Sequence, residues 1–244
     1  MLSILGYFGY RLLTPMTDEV SGAPPGGVAW EEVPQDLDPY AFAWNWTRPE
    51  GPVRVGIQVG HWKNDEVPEE LEKLKRNGGA SGGGKTEAEV NLVIAQQLEK
   101  LLTDEGYKVD VLPTTVPAGY WADVFVAIHA DGSEDPTTSG FKMAGPWRDF
   151  THRSDALINH LTKHYQAEIG MDIDPSISRN MRGYYAFSWW KFEHAIHPMT
   201  TAVIVETGFL TNAGDRKIIV DQPEVVARAL AGGIVEYIQK TDLS

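Results

Sequence analysis

Three residues that could do chemistry follow strand-like runs of this 244-residue chain. His61, His129 and Glu206 each come directly after a run of mostly apolar residues that is typical of a strand. In an open α/β sheet the carboxyl ends of the strands border the crevice where ligands bind. Two imidazoles and a carboxylate brought there are the groups of a metal site with a catalytic base. Taken singly, each also has a structural interpretation, as a hydrogen-bonded core histidine or an ion-paired glutamate.

A further ligand is expected at the start of the helix that follows a glycine-rich loop. Thr86-Glu87-Ala88-Glu89 has the pattern of a capping box, in which Glu89 reaches back to the backbone N–H of Thr86. Glu87 instead shares a helical face with the apolar residues Val90 and Ile94, and so points toward the sheet. A carboxylate buried there needs a charged partner or a metal. Glu87 is therefore the better ligand candidate of the two.

The resulting set of His61, Glu87 and His129 is a zinc arrangement that leaves a coordination position open for water. The chain has no cysteine, so His, Asp and Glu must supply any ligands of a transition metal. Most of the other histidines need no special role. We expect His152, His160 and His164 on a solvated helix. The other two, His194 and His197, could either line the site or pack beside it.

The alternation of strand and helix patterns from residue 53 onward predicts the elements that hold these residues. Strands are expected at 53–60, 107–112, 123–128 and 202–206, and helices at about 69–76, 87–104, 152–168, 214–220 and 223–239. This order favours an α/β fold, with a single domain built on a mostly parallel central sheet flanked by helices on both faces.

Residues 1–52 are predicted to be an extension to the domain at 53–244. The extension is rich in proline, acidic residues and aromatics, which predicts an arm packed on the domain or a linker, with an aromatic ligand platform as the alternative. The apolar residues 1–13 are too few to span a bilayer, so no stable membrane span is expected. They also lack the features of a clear export signal.

The net charge and one sequence motif indicate which binding partners are not expected. The net charge of −13 argues against a nucleic-acid surface. Gly79 to Thr86 satisfies the pattern of a phosphate-binding P-loop, but that motif needs a strand leading directly into the loop. The preceding residues form a charged helical pattern instead, so no nucleotide is expected.

Four segments in the same order resemble the zinc-dependent N-acetylmuramoyl-L-alanine amidases of the type called Amidase_3. The resemblance covers about residues 53 to 239. The matching segments are Val59-Gly60-His61, Glu87 to Leu92, Ala127 to Asp131, and the block from Val205 to Asn212. The chain departs from the family pattern in a charged insertion at 62–76 and in the aromatic-rich stretch 141–198.

The resemblance implies a role for each candidate residue. His61, Glu87 and His129 would bind Zn²⁺, Glu206 would be the catalytic acid and base, and the fold would be of the phosphorylase/hydrolase-like kind. The substrate would be peptidoglycan or a muropeptide, cut at the amide between N-acetylmuramic acid and L-alanine, in the cell envelope or outside the cell. Two alternatives stay open: a zinc peptidase acting on a related peptide, and a non-catalytic peptidoglycan-binding or regulatory module of the same fold.

Overall fold

The computed structural model describes residues 46–241, which form a five-stranded sheet with helices packed against it. The sheet order is β4-β1-β5-β7-β6, and a two-stranded hairpin of β2 and β3 stands apart from it. The strands are β1 Arg54–Val59, β2 Ser81–Gly82, β3 Lys85–Thr86, β4 Lys108–Leu112, β5 Val124–Asp131, β6 Lys142–Ala144 and β7 Thr201–Phe209.

The helices follow the predicted order. They are α1 Glu87–Asp104, α2 Ser154–Ile169, α3 Arg179–Arg182, α4 Ala213–Ile219 and α5 Pro223–Lys240. Short 3₁₀ helices lie at Asn64–Glu66, Glu69–Arg76 and Tyr185–Phe187. The predicted fold class, one α/β domain with a mostly parallel sheet, is confirmed.

The parallel register brings the ends of the central strands together. β1 pairs with both β4 and β5, β5 pairs with β7, and all three pairings are parallel. His129 on β5 lies opposite Glu206 on β7. The edge strand β6 is antiparallel to β7 and places Lys142 opposite Glu206. Residues far apart in sequence, such as His129 and Glu206, therefore become neighbours at one end of the sheet.

The two faces of the sheet are covered differently. One core cluster joins alternate side chains of β1 and β5, such as Ile57 and Val126, to the long helices α1, α2 and α5. The opposite face packs Phe125 and Ala127 against Leu71 of a 3₁₀ helix and Met181 of α3. Strands buried on both faces are expected in a parallel sheet, where helices and loops shield each side.

The structure corrects several predicted boundaries. The charged segment at 69–76 is a 3₁₀ helix rather than an α-helix. The strand predicted to end at residue 206 continues to Phe209, so Glu206 lies within β7 rather than after it. His152 precedes α2 instead of belonging to it, with a positive φ of 52°. The edge strand β6 has no counterpart in the sequence prediction, because three residues are too few to show a period.

The glycine-rich run folds as a hairpin. Gly83 and Gly84, with φ of 60° and 77°, form the turn between β2 and β3. Positive φ at both central residues is the geometry of a two-residue hairpin turn, which glycine adopts without steric cost. The capping box predicted at the start of α1 is present, with Thr86 accepting from the Glu89 N–H and the Glu89 side chain accepting from the Thr86 N–H.

Most of the predicted N-terminal arm lies outside the described residues, and its boundary at residue 52 stays a prediction. The described part, 46–52, contacts the domain. Trp46 packs against Trp121 with ring centroids 5.5 Å apart, and Arg48 pairs with Asp123 at 2.6 Å. Across residues 46–241, no helix has the length and apolar character that a bilayer crossing needs.

Candidate active site

A cavity of about 620 Å³ opens at the carboxyl ends of β1 and β5 and contains all four predicted site residues. His61, Glu87, His129 and Glu206 line it together with polar groups from the loops and from α3. Its position agrees with the general location of ligand sites in α/β sheets.

His61 is turned into the cavity by an unusual backbone conformation. It has a φ of 62°, in the left-handed region that non-glycine residues seldom adopt. Its Nδ1 lies 2.9 Å from the carbonyl oxygen of Asn77, which can only accept a hydrogen bond. Nδ1 can therefore donate to this carbonyl, and Nε2 is the ring nitrogen directed at the carboxylate of Glu87, at 3.5 Å. Fixing the tautomer through the outer nitrogen in this way is typical of histidines that bind metals.

Hydrogen bonds to both carboxylate oxygens hold the side chain of Glu87 in place. As the helical phase predicted, its side chain is buried. Oε2 accepts from the backbone N–H of Ala80 at 2.8 Å, and Oε1 accepts from that of Ala130 at 3.1 Å. Burial favours the neutral acid, but the hydrogen bond and charge of His129, followed by the charge of His61, lower the pKa of Glu87 overall. The carboxylate is thus kept ionised inside the protein.

His129 lies on the other side of Glu87, and its Nδ1 is 2.9 Å from Oε1. The ring passes so close to β1 that a Cβ on Gly60 would stand 2.4 Å from its Cε1. Burial favours the neutral imidazole, but Glu87 outweighs it and raises the pKa of His129. The imidazoles of His61 and His129 meet edge to face, with ring centroids 5.1 Å apart.

The three side chains form a group that could hold a metal ion. One ligand atom from each of His61, Glu87 and His129 lies within 4.8 Å of the others. Two imidazole nitrogens and a carboxylate oxygen suit a borderline ion such as Zn²⁺, and three protein ligands leave one position for water or substrate. Among the described residues this is the only group of three or more such side chains with that convergence.

Glu206 borders the same cavity from β7 and is partly exposed. Burial, together with the negative charges of Glu87 and Asp131, raises the pKa of Glu206 to about 7, against the lowering effect of His129 and Lys142. A carboxyl group poised between its two forms near neutral pH can both accept and return a proton.

Lys142 is a cavity residue that the sequence analysis missed. Its buried ammonium group contacts Asp131 at 2.5 Å and Asp174 at 2.7 Å. These carboxylates outweigh the effect of burial and raise the pKa of Lys142, so it stays charged beside Glu206. A lysine on a strand too short to be predicted gave no sequence signal.

The remaining histidines lie away from this group. His160 and His164, expected to be solvated, are partly exposed and contact Glu236 at 3.3 Å and 2.8 Å. His194 pairs with Glu70 at 2.8 Å. His197, for which lining and packing were both open, is buried against Trp46 and does not line the cavity of Glu206.

Sequence comparison identifies the family. Residues 55–239 match the N-acetylmuramoyl-L-alanine amidase family Amidase_3. The chain belongs to this amidase family. Its members hydrolyse the amide that joins N-acetylmuramic acid to the peptide of peptidoglycan, and this chain is an amidase of that kind. No curated protein matches the chain.

Solved structures of amidases share the fold. The catalytic domain of CwlV from Bacillus (Paenibacillus) polymyxa var. colistinus is 22% identical with a TM-score of 0.51, and the match covers 77% of this chain and 98% of that one. Ami1 from Mycobacterium smegmatis is 18% identical with a TM-score of 0.56, covering 77% and 97%. AmiC2 of Nostoc punctiforme is 19% identical with a TM-score of 0.53, covering 78% and 99%.

Proposed function

We propose that this amidase is zinc-dependent, with His61, Glu87 and His129 as the ligands of Zn²⁺ and Glu206 as the catalytic acid and base. The observation that carries the proposal is the convergence of the three ligand atoms within 4.8 Å in the cavity that Glu206 also lines. The hydrogen-bond contact that holds Nδ1 of His61 and the ionised, buried carboxylate of Glu87 support it, because Nε2 of His61 and the oxygens of Glu87 are then available to bind a cation.

The chemistry is the hydrolysis of an amide. A bound Zn²⁺ supplies a Lewis acid that polarises the scissile carbonyl and lowers the pKa of water. Glu206 accepts a proton from the attacking water and passes it to the nitrogen of L-alanine as the C–N bond breaks. The products are the carboxylic acid of the lactyl group on N-acetylmuramic acid and a stem peptide with a free amino terminus.

The substrate and place of action follow from the same assignment. The enzyme acts on peptidoglycan or on muropeptides released from it, in the cell envelope or outside the cell. Members of the family act on the cell wall, and this supports the location. The cavity is large enough for a muramoyl-peptide junction, since ligand pockets commonly have volumes of about 300–1,000 Å³.

Two pairs of measurements test the ligand and base roles. Glu87→Gln should lose bound zinc, whereas Glu89→Gln, a matched change two residues further along α1, should keep it because Glu89 only caps the helix. Glu206→Gln should keep zinc and lose roughly 10²- to 10⁴-fold in turnover, the usual contribution of a general acid and base. Full activity in a chelated, metal-free enzyme would refute the zinc proposal.

Product analysis identifies the bond. Digestion of purified peptidoglycan should release stem peptides whose amino-terminal residue is L-alanine, detected by mass spectrometry after amine labelling. New reducing sugar ends would indicate cleavage of the glycan instead. Peptides cut within the stem would favour the zinc peptidase, and metal binding without turnover would favour the binding module.

A further inference from the structure

A chain of hydrogen bonds leads from the backbone to Nε2 of His129, the ring nitrogen that faces away from Glu87. The hydroxyl of Tyr184 lies 3.2 Å from Nε2 of His129 and 2.9 Å from Oε1 of Gln58. The amide nitrogen of Gln58 in turn lies 2.6 Å from the carbonyl oxygen of Thr114. Gln58 and His129 are both buried, and Tyr184 is partly buried at the wall of the cavity.

The direction of each hydrogen bond in the chain is determined by its far end. The carbonyl oxygen of Thr114 only accepts, so the Gln58 atom beside it is the NH₂ group, and Oε1 faces Tyr184. Tyr184 has a single proton, which it donates to Oε1 of Gln58. Its oxygen is then left to accept from His129, which requires Nε2 to carry a proton. Nδ1, which lies 2.9 Å from the carboxylate of Glu87, is the ring nitrogen directed at the other proposed ligands.

We infer that Tyr184 and Gln58 are positioning residues that fix the tautomer and orientation of His129 so that Nδ1 is its metal-binding nitrogen. The inference rests on the proposed metal site. It makes the two histidines unlike each other, because His61 binds through Nε2 with Nδ1 held by Asn77, and His129 binds through Nδ1 with Nε2 held by Tyr184. Outer partners of metal ligands typically change metal affinity by about 10–100-fold when removed.

The variant Tyr184→Phe removes only the hydroxyl and keeps the ring. Its zinc affinity, measured by competition with a chelator, should fall about 10–100-fold. Tyr185→Phe is the matched control: it removes the neighbouring hydroxyl, which contacts Gln58 and Thr114 but not His129. Zinc affinity should stay at the wild-type value there, because Thr114 alone still orients the Gln58 amide.

Nitrogen-15 NMR of the zinc-loaded, histidine-labelled protein supplies a readout that loss of packing would not move. The wild type should show His129 with a slowly exchanging Nε2 proton and a metal-bound Nδ1, and Tyr184→Phe should show faster exchange of that proton. Coordination through Nε2, or unchanged affinity in Tyr184→Phe, would overturn the inference while leaving the zinc site intact. A wild type that binds no zinc would refute the metal proposal instead.

An independent observation concerns the surface beside the cavity. Trp147 is 61% exposed, more than Val93 at 43% or Ile173 at 48%, the other large apolar residues exposed in the described part of the chain. Its backbone N–H donates to the carbonyl oxygen of Arg182, and Gly183, the next residue, lines the cavity. The indole therefore stands next to the mouth of the active site.

The surroundings of Trp147 suit a sugar ring better than an apolar partner. The guanidinium carbon of Arg182 lies 5.4 Å from the centroid of the indole. Arginine held against an indole steadies the ring by a cation–π contact. Because single exposed apolar residues are common on protein surfaces, it is the position of Trp147 beside the cavity residue Gly183 that makes its indole available to a bound substrate. Pyranose rings stack their C–H faces on such indoles while their hydroxyls hydrogen-bond to nearby charged groups.

We propose that Trp147 is a stacking platform for a sugar of the glycan strand next to the one whose peptide enters the cavity. The site deepens the amidase function by adding recognition of the polymer. In a Glu206→Gln background, Trp147→Ala should bind peptide-free glycan strands roughly three- to tenfold more weakly, as expected for one aromatic contact. Trp147→Phe should retain most of the affinity, and Val93→Ala, an exposed apolar change on α1, should bind as the background does.

Kinetic measurements distinguish a role of Trp147 in glycan binding from a role in the reaction itself. In the otherwise wild-type enzyme Trp147→Ala should raise KM on polymeric peptidoglycan with kcat unchanged, and should leave kcat/KM on a single N-acetylmuramoyl peptide as it was. Undiminished binding of glycan strands would overturn the proposal. So would a loss of affinity for isolated stem peptides instead of glycan, which would assign the surface to the peptide. Loss of turnover on both substrates would count against it as well.

Discussion

Gly79 is the residue whose replacement tests the geometry of the candidate metal site most directly. It has a φ of 75°, and a Cβ built on it would stand 2.4 Å from Oε2 of Glu87 and 2.8 Å from Cδ2 of His61. Both atoms belong to proposed ligands. The variant Gly79→Ala therefore adds one methyl group against two of the three ligands without altering the ligands themselves.

The size of the effect can be worked out from these distances. Ordinary contact with a Cβ begins at 3.4 Å, so either the carboxylate or the loop must shift by about 1 Å. A misplacement of about 1 Å in a catalytic site can cost about 100-fold in rate. The left-handed backbone adds a stability cost of about 1–2 kcal/mol for alanine. We expect Gly79→Ala to lower kcat/KM about 100-fold and zinc affinity about 10–100-fold.

Gly84→Ala is the matched control for backbone strain. Gly84 has a nearly equal φ of 77°, but a Cβ there would meet nothing within 4 Å. Backbone strain should therefore cost both variants a similar amount, about 1–2 kcal/mol or roughly 2–8 °C in melting temperature, and Gly79→Ala should lose more because its methyl group also displaces Glu87 or the loop. Only Gly79→Ala should lose zinc affinity, measured by chelator competition. Equal zinc affinity in the two variants would refute the proposed ligand role of Glu87 and His61 or the tight placement of this loop.

Three further outcomes are expected. Gly60→Ala should lose zinc affinity as Gly79→Ala does, because its Cβ would stand 2.4 Å from the His129 ring; titration with a chelator measures this. Thr86→Ala should lower the free energy of unfolding by about 1 kcal/mol in urea through loss of the helix cap, with zinc affinity unchanged. Burial lowers the pKa of His197 to about 4, so the unfolded chain takes up its proton first as the pH falls. The wild type should therefore lose up to about 3 kcal/mol between pH 6.5 and 4, and His197→Phe should lack this part of the pH dependence in urea unfolding.

The sequence was sufficient for four of the five strands of the central sheet and for His61, Glu87, His129 and Glu206, because these depend on strong local patterns. Runs of buried residues marked β1, β5 and β7, and parallel strands necessarily bring His61, His129 and Glu206 to one edge. Helical phase distinguished Glu87 from Glu89, and the structure buries the first while the second caps the helix. The assigned roles of these residues as ligands and base stay predictions, since composition and phase say nothing of what they bind.

Features that depend on tertiary contacts could not be predicted from the sequence. Lys142 enters the cavity only because a three-residue strand pairs with β7 at Glu206. Tyr184 lies in an irregular stretch between short helices, where no period indicates which side chain turns inward. Glu206 was placed after its strand, whereas the strand continues to Phe209, since Thr207 is buried and its hydroxyl donates to the carbonyl oxygen of His129.

The glycine-rich run explains why a nucleotide-binding pattern arises in a chain of this family. Gly79 must lack a side chain because Glu87 and His61 lie against it, and Gly82 because a Cβ would stand 1.9 Å from the carbonyl oxygen of Leu210. Gly83 and Gly84 supply the two left-handed residues of the hairpin turn. Each glycine thus has its own steric reason, and none of these reasons involves a phosphate. The match to the P-loop pattern therefore arises from one hairpin turn and two positions of close contact. Together they place the start of α1, with Glu87, between the two histidines.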